Sequence, residues 1–280
     1  MHSTLGTKKA GAASQKSRAF WHIVSTKRDR GLTAYLDTAQ GRRIAYVKTE
    51  GQGPTILFLS GLKSDMEGTK AVALKAWAKE QGRAFVRFDY SGHGVSSGDF
   101  IDGSIGDWHE DTLEVMDKLI EGPILVVGSS MGGWQSLLLS RARPERIMGL
   151  VTIAAAPDFT EDGYWAGFTD DQKAELEREG AVSIPSDYDE DYIITKRLIE
   201  DGRDQLVLRS PLRLDMPVRF LQGTEDTAVP TSQAVKLLEH VEGDDIRLIL
   251  VKGADHRFSD DECLRTIQKM VKVVLTRGAA

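Results

Sequence analysis

Ser130 lies in a glycine-rich stretch, Gly128-Ser129-Ser130-Met131-Gly132, which fits the pattern G-x-S-x-G. Four apolar or β-branched residues at 124–127 precede it and predict a short buried strand, and apolar residues at helical spacing follow it over 134–138. A strand, a sharp turn and a helix in this order form the context in which the pattern marks a strained turn that exposes a serine hydroxyl. The sequence therefore predicts that Ser130 is a nucleophile.

The same stretch has a second interpretation as a glycine-rich turn that only packs, or that binds phosphate at a helix N-terminus. Against phosphate, it matches neither G-x-x-x-x-G-K-[ST] nor G-x-G-x-x-G. The nucleophile interpretation is favoured, provided that a base and an acid follow downstream.

His256 and Asp226 are the candidate base and acid. Each follows a predicted strand, 246–251 and 218–222 respectively, and reactive groups collect at the carboxyl ends of parallel strands. A serine hydroxyl needs an imidazole to accept its proton and return it to the leaving group, and a carboxylate to orient that imidazole. The chain order Ser, Asp, His is the order expected for α/β-hydrolases.

Two other carboxylates and one other histidine compete for these roles. Glu225 precedes Asp226 directly, and Asp255 precedes His256. Asp226 is preferred because it lies in the loop before a helix that Pro230 starts, whereas Asp255 is adjacent to the histidine and is expected to point elsewhere along the backbone. His93 also follows a strand, but its glycine-rich surroundings favour a structural turn.

Backbone amides complete the predicted site, because a tetrahedral intermediate needs two donors for its oxyanion. One is the N–H of Met131, directly after the nucleophile. The other is the N–H of Leu62, in the loop after the third predicted strand, where Gly61 permits a close backbone approach.

Strands that alternate with helices must position these residues. They predict an α/β fold with a mostly parallel sheet and helices on both faces. Between about 157 and 208 the alternation stops, and this acidic segment holds six aromatic residues, which predicts a small helical lid insertion. We expect a disordered tail at 1–18 and a single domain over 19–280. Strands are predicted at 32–36, 43–47, 54–60, 84–90, 124–127, 149–155, 218–222 and 246–251.

Composition and charge exclude several classes of partner and site. A net charge of −6 argues against a nucleic-acid surface, and no apolar run approaches the roughly 18 residues of a membrane span. The chain has one cysteine, Cys263, and no histidine and acid pairs at metal-ligand spacing, so we expect neither metal nor cofactor. A cytoplasmic location is favoured, because the Lys- and Ser-rich, acid-free start fits a solvated tail better than an organelle presequence. Oligomeric state is not indicated.

Six segments together carry a family resemblance over nearly all of the chain after Leu32. The chain resembles the abhydrolase-domain α/β-hydrolases that include acyl-protein thioesterases and acyl-glucuronide esterases. This resemblance implies hydrolysis of esters and thioesters, with Ser130, Asp226 and His256 as nucleophile, acid and base. It is also the only ground for the alternative location, the mitochondrion. The segments are GSSMGGW, FDYSGHGVSSG, SGLKSDMEGTKA, VSIPSDY, GTEDTAVP and GADHRF.

The sequence thus predicts a cofactor-free serine hydrolase that acts on a small-molecule or acyl-protein ester or thioester. The alternatives are a carbon–carbon bond hydrolase or a peptidase of the same fold, which would use the same serine, and a non-catalytic ligand receptor.

Overall fold

The structure is a computed structural model that describes residues 32–185 and 191–278. The tail predicted at 1–18 lies outside these ranges. Within them, no helix combines the length and the apolar character that crossing a membrane requires.

The described residues form the following elements. The strands are β1 (Ala34–Asp37), β2 (Arg43–Thr49), β3 (Gln52–Leu59), β4 (Arg83–Phe88), β5 (Ile124–Ser129), β6 (Ile147–Ile153), β7 (Ala181–Ile184), β8 (Tyr192–Thr195), β9 (Leu212–Arg213), β10 (Val218–Gly223), β11 (Val241–Glu242) and β12 (Ile246–Val251). The α-helices are α1 (Thr69–Glu80), α2 (Ile105–Leu119), α3 (Met131–Ala142), α4 (Asp170–Glu179), α5 (Lys196–Asp204), α6 (Thr231–His240) and α7 (Asp261–Gly278). Short 3₁₀ turns span Phe100–Asp102 and Pro144–Arg146, and a π-helix spans Phe159–Trp165.

The central sheet of the described chain has the strand order β1-β2-β4-β3-β5-β6-β10-β12. β2 runs antiparallel to β1 and β4, and the other neighbouring pairs are parallel. Central strands such as β5 are buried along their whole length, which explains why they are continuous apolar runs in the sequence. The predicted α/β fold class with a mostly parallel sheet is confirmed.

Helices cover both faces of this sheet. On one face, α2 and α3 bury Trp108 and Trp134 completely. On the other, α1 and α7 bury apolar side chains that include Leu74 and Val271. Because both faces are covered, the strand ends are the exposed parts of the sheet at which polar loops can gather.

The segment 157–208, called the insertion below, contains the π-helix, α4 and α5, together with a hairpin of β7 and β8 that the sequence did not predict. The hairpin pairs Val182 with Ile194, and both side chains are buried. Two short runs of β-branched residues that share one buried face are enough to form a hairpin when a larger core receives that face.

Asp158 joins the two ends of the insertion. Its carboxylate is fully buried and accepts hydrogen bonds from the backbone N–H groups of Val207 (2.8 Å) and Leu208 (3.0 Å), and Arg209 pairs with it at 3.2 Å. Asp158 also has a φ of 57°, in the left-handed region that aspartate and asparagine tolerate better than most residues. One carboxylate therefore ties the start of the insertion to its end.

We expect Asp158→Asn to lower the free energy of unfolding by about 2–3 kcal/mol, because one carboxylate oxygen becomes an NH₂ group that faces a buried N–H. Asparagine keeps the side-chain size and tolerates the backbone conformation. Urea unfolding measures the change. Asp162→Asn is the control: Asp162 pairs with Arg209 and Lys236 at the surface, so its loss is expected to cost under about 1 kcal/mol. Equal effects of the two variants would contradict the anchoring role.

Candidate active site

Ser130 lies between β5 and α3 with a φ of 54°, which is unusual for a residue with a side chain. The turn is as tight as the sequence predicts. A Cβ atom on Gly128 would lie 2.2 Å from the carbonyl oxygen of Gly132, and one on Gly132 would lie 2.1 Å from that of Leu59. Only glycine at these two positions allows the strand, the helix and β3 to approach this closely.

The structure brings the side chains of Ser130, His256 and Asp226 together. The Nε2 atom of His256 lies 3.2 Å from the Oγ atom of Ser130, and its Nδ1 atom lies 2.9 Å from Oδ2 of Asp226. The three residues follow β5, β10 and β12, whose carboxyl ends meet at one edge of the sheet. This chain of hydrogen bonds can carry a proton from the hydroxyl to the imidazole while the carboxylate stabilises the resulting charge.

Asp226 is fixed and charged by its surroundings. Burial alone would raise its pKa, but a hydrogen bond from His256, the backbone N–H of Val229 and the amide of Gln222 together lower that pKa below its usual value. The carboxylate therefore stabilises the fold at neutral pH, and this contribution is lost only as the pH falls through the lowered pKa.

The competing acids lie elsewhere. Glu225 is exposed, and Asp255 accepts a hydrogen bond from the backbone N–H of Phe258, within its own loop. Neither takes the place beside the His256 ring that Asp226 occupies.

The loop that holds Leu62 lies directly against the serine. A Cβ atom on Gly61 would lie 3.3 Å from the Cβ atom of Ser130, and Leu62, Ser130 and Met131 line the same cavity. Both residues that carry the predicted amide donors thus line the cavity that Ser130 lines. Their role as an oxyanion hole stays a prediction.

Three residues that the sequence analysis did not single out support these loops. From β4 and the residue after it, Arg87 donates to the carbonyl oxygen of Met66, and Asp89 accepts from the Met66 N–H at 2.6 Å. Lys70, in the first turn of α1, donates to the carbonyl oxygen of Arg257 in the loop after β12 that holds His256; burial lowers the pKa of Lys70 to about 8. A charged residue inside the predicted strand 84–90 is the only sequence signal that could have indicated such a support.

A cavity of about 730 Å³ opens at the serine, within the size range of small-molecule sites. The insertion contributes the rings of Phe159, Tyr164 and Tyr192 to its lining, called the aromatic wall below, and polar residues such as Lys70 and Asp255 also line it. A cavity with this lining can accommodate both an apolar chain and a polar group next to Ser130. Among the residues that the structure describes, no group of three or more histidine, cysteine or acidic side chains is placed to bind a metal ion.

Comparisons with known proteins show what this chain is similar to. A family model described as "serine aminopeptidase, S33" matches residues 53–176. The mitochondrial palmitoyl-protein thioesterase ABHD10 of Mus musculus is 36% identical over 253 residues, which cover 90% of this chain and 84% of that protein.

Solved structures extend the similarity. The mouse α/β-hydrolase domain-containing protein 10 matches with a TM-score of 0.82 and 31% identity, over 88% of this chain and 99% of that one. A protein from Agrobacterium vitis S4 matches with a TM-score of 0.84 and 36% identity, over 87% of this chain and 98% of that one. The similarity therefore covers nearly the whole of both solved chains.

Proposed function

Because the chain belongs to the α/β-hydrolase family that includes the ABHD10 palmitoyl-protein thioesterases, and is therefore a hydrolase of ester or thioester bonds, we propose that it acts through an acyl-enzyme on Ser130. The observation that carries this proposal is the chain of hydrogen bonds from Ser130 through His256 to Asp226.

In this mechanism the Oγ atom of Ser130 attacks the acyl carbonyl carbon while His256 takes the hydroxyl proton. The carbonyl oxygen becomes an oxyanion that accepts hydrogen bonds from the N–H groups of Leu62 and Met131. When the intermediate collapses, the bond between the acyl carbon and the leaving alcohol or thiol breaks, and His256 donates the proton to that leaving group. Water then attacks the acyl-enzyme by the same route, which releases the carboxylic acid and restores Ser130.

Reaction of the protein with a fluorophosphonate probe tests the nucleophile, followed by mass spectrometry to locate the adduct. We expect one modified residue, Ser130. A protein that stays unlabelled would instead favour the ligand-receptor alternative. A panel of esters, thioesters, β-diketones and aminoacyl amides then separates the reaction classes. Hydrolysis of the amides alone would favour the peptidase alternative, which the serine aminopeptidase family model supports.

We further propose that the acyl chain lies along the aromatic wall and that the insertion acts as the lid over it. Phe159, Tyr164 and Tyr192 supply apolar surface next to the nucleophile, and the relatives named as palmitoyl-protein thioesterases act on a long acyl chain. Each methylene buried on such a wall contributes about 0.8 kcal/mol.

We expect kcat/KM for p-nitrophenyl esters to rise about three- to fourfold per added methylene until the wall is covered. Tyr164→Ala should flatten this dependence, because the wall loses a ring. Tyr35→Ala, a half-exposed tyrosine on β1 at the edge of the sheet, is the control and should leave the slope unchanged. If kcat/KM of the unsubstituted protein does not depend on acyl chain length, the proposal that the acyl chain lies along the aromatic wall is wrong.

Cellular location stays a prediction. The sequence favours the cytoplasm, whereas the relatives named as mitochondrial support the alternative. Fractionation of cells that produce the full chain distinguishes the two.

A further inference from the structure

His93 lies in the loop after β4 and is only 4% exposed. Its Nδ1 atom lies 3.1 Å from the carbonyl oxygen of Ser91, and its Nε2 atom lies 3.1 Å from the backbone nitrogen of Lys63. The carbonyl can only accept a hydrogen bond and the amide can only donate one. The ring must therefore be neutral, with its proton on Nδ1 and a lone pair on Nε2 that receives the Lys63 N–H.

The amide that His93 holds belongs to the peptide bond between Leu62 and Lys63. Lys63 has a φ of 56°, so the chain makes a strained left-handed turn directly after the proposed oxyanion donor. Such a turn persists only when its surroundings hold it. A hydrogen bond from this peptide to a buried ring limits how far the Leu62 N–H can rotate away from the serine.

Further contacts hold the loop on both sides of this peptide. Gly61 packs against Ser130 and accepts a hydrogen bond from the Ser64 N–H at 3.1 Å, and Met66 is held by Asp89 and Arg87. Lys63 lies between these points. The hydrogen bond from the Lys63 N–H to His93 connects the middle of the loop, next to the proposed amide donor, to a buried side chain.

The ring of His93 is itself fixed. The edges or faces of three aromatic rings pack around it, with ring centroids 5.0 to 5.6 Å away: Trp108, Phe100 and Tyr90. The Nε1–H of Trp108 also donates to the Ser91 carbonyl oxygen at 3.0 Å. Burial lowers the pKa of His93 to about 4, which agrees with the neutral form that the two hydrogen bonds require.

From this geometry we infer that His93 is a positioning residue for the oxyanion hole. By accepting the Lys63 N–H, it keeps the Leu62 N–H oriented toward the serine. The inference rests on the proposed acyl transfer at Ser130. Both ring nitrogens are engaged by backbone groups, so His93 takes no part in proton transfer. It acts through the loop, and its loss should affect the transition state more than substrate binding.

A matched pair of variants tests this role. In His93→Gln the side-chain amide reaches the position of Nε2 and can still accept the Lys63 N–H, whereas in His93→Asn the shorter side chain reaches only the position of Nδ1. Both variants place a neutral amide in the same buried site, and their free energies of unfolding show how much packing the shorter asparagine side chain loses in addition.

We expect His93→Asn to lower kcat about 10- to 100-fold with KM changed less than threefold, and His93→Gln to stay within about fivefold of the unsubstituted kcat. The range follows from the 10²- to 10³-fold cost of deleting an oxyanion donor, since here the donor is misdirected and not removed. Affinity for butylboronic acid, whose tetrahedral serine adduct places an oxygen in the oxyanion hole, should fall in parallel with kcat/KM.

Equal losses in the two variants, or a His93→Asn protein with unchanged kcat and boronate affinity, would overturn the inference. Urea unfolding of both variants shows whether they are folded under the assay conditions. Failure of the proposed function is a separate result: the unsubstituted protein would then hydrolyse no ester or thioester, or would do so without labelling at Ser130.

Discussion

Ser130→Ala is expected to lower kcat for ester and thioester hydrolysis by a factor on the order of 10⁴ to 10⁶, because the acyl group then has no oxygen to which it can be transferred. Modification by a fluorophosphonate should disappear with it. Stability should change little: alanine also carries a Cβ atom at the left-handed φ of 54°, so the strain of the turn is the same in both proteins.

Ser129→Ala is the matched control for this experiment. Ser129 is the neighbouring residue, is buried and lines the same cavity, but it ends strand β5 instead of occupying the turn. We expect this variant to keep kcat within about tenfold of the unsubstituted value. If Ser130→Ala retains turnover while Ser129→Ala loses it, the assignment of the nucleophile is wrong.

Asp226→Asn is expected to lower kcat by about 10⁴-fold with KM nearly unchanged. Oδ1 can still accept the backbone N–H groups of Ala228 and Val229, so the loop keeps its shape. The NH₂ group replaces the oxygen that faces Nδ1 of His256. The imidazole then adopts the tautomer that has its lone pair on Nδ1, facing that NH₂ group, and its proton on Nε2, facing Ser130. In this tautomer it can no longer accept the serine proton.

Glu225→Gln serves as the control, because it removes the adjacent carboxylate, which is exposed and does not face the histidine. It should leave kcat within about twofold. The measurement is kcat and KM for one activated ester. It compares four proteins: the unsubstituted chain, Ser130→Ala, Asp226→Asn and Glu225→Gln. A large loss in Glu225→Gln with activity kept in Asp226→Asn would reverse the assignment of the acid.

These predictions differ in how directly the sequence leads to them. The turn at Ser130 could be predicted because strand, glycine pattern and helix are contiguous, and the close approach of Gly128 and Gly132 is a local steric requirement. The sequence offered an argument for Asp226 over Glu225 but could not decide between the two carboxylates. Which of two adjacent carboxylates faces the imidazole depends on how the loops after β10 and β12 lie against each other.

Supports from distant parts of the chain were beyond sequence reasoning. His93 was interpreted as a structural turn residue. It does lie buried in such a turn, but nothing in the stretch around it shows that its ring reaches the backbone of Lys63, 30 residues earlier. Arg87 and Asp89 are charged residues inside the predicted strand 84–90, which could have indicated a support, but nothing in the sequence identifies the loop that they hold.

The sequence by itself determined the fold class, the tight turn at Ser130 and the chain order of the predicted triad, because strand and helix periodicity and glycine sterics are set by neighbouring residues. Only the tertiary structure decided which acid meets the histidine, how the amide loop is held, and that the insertion includes a hairpin whose buried face completes the core around the cavity. Each of these depends on contacts between residues far apart in the chain, and such contacts are set when the sheet and its loops pack together.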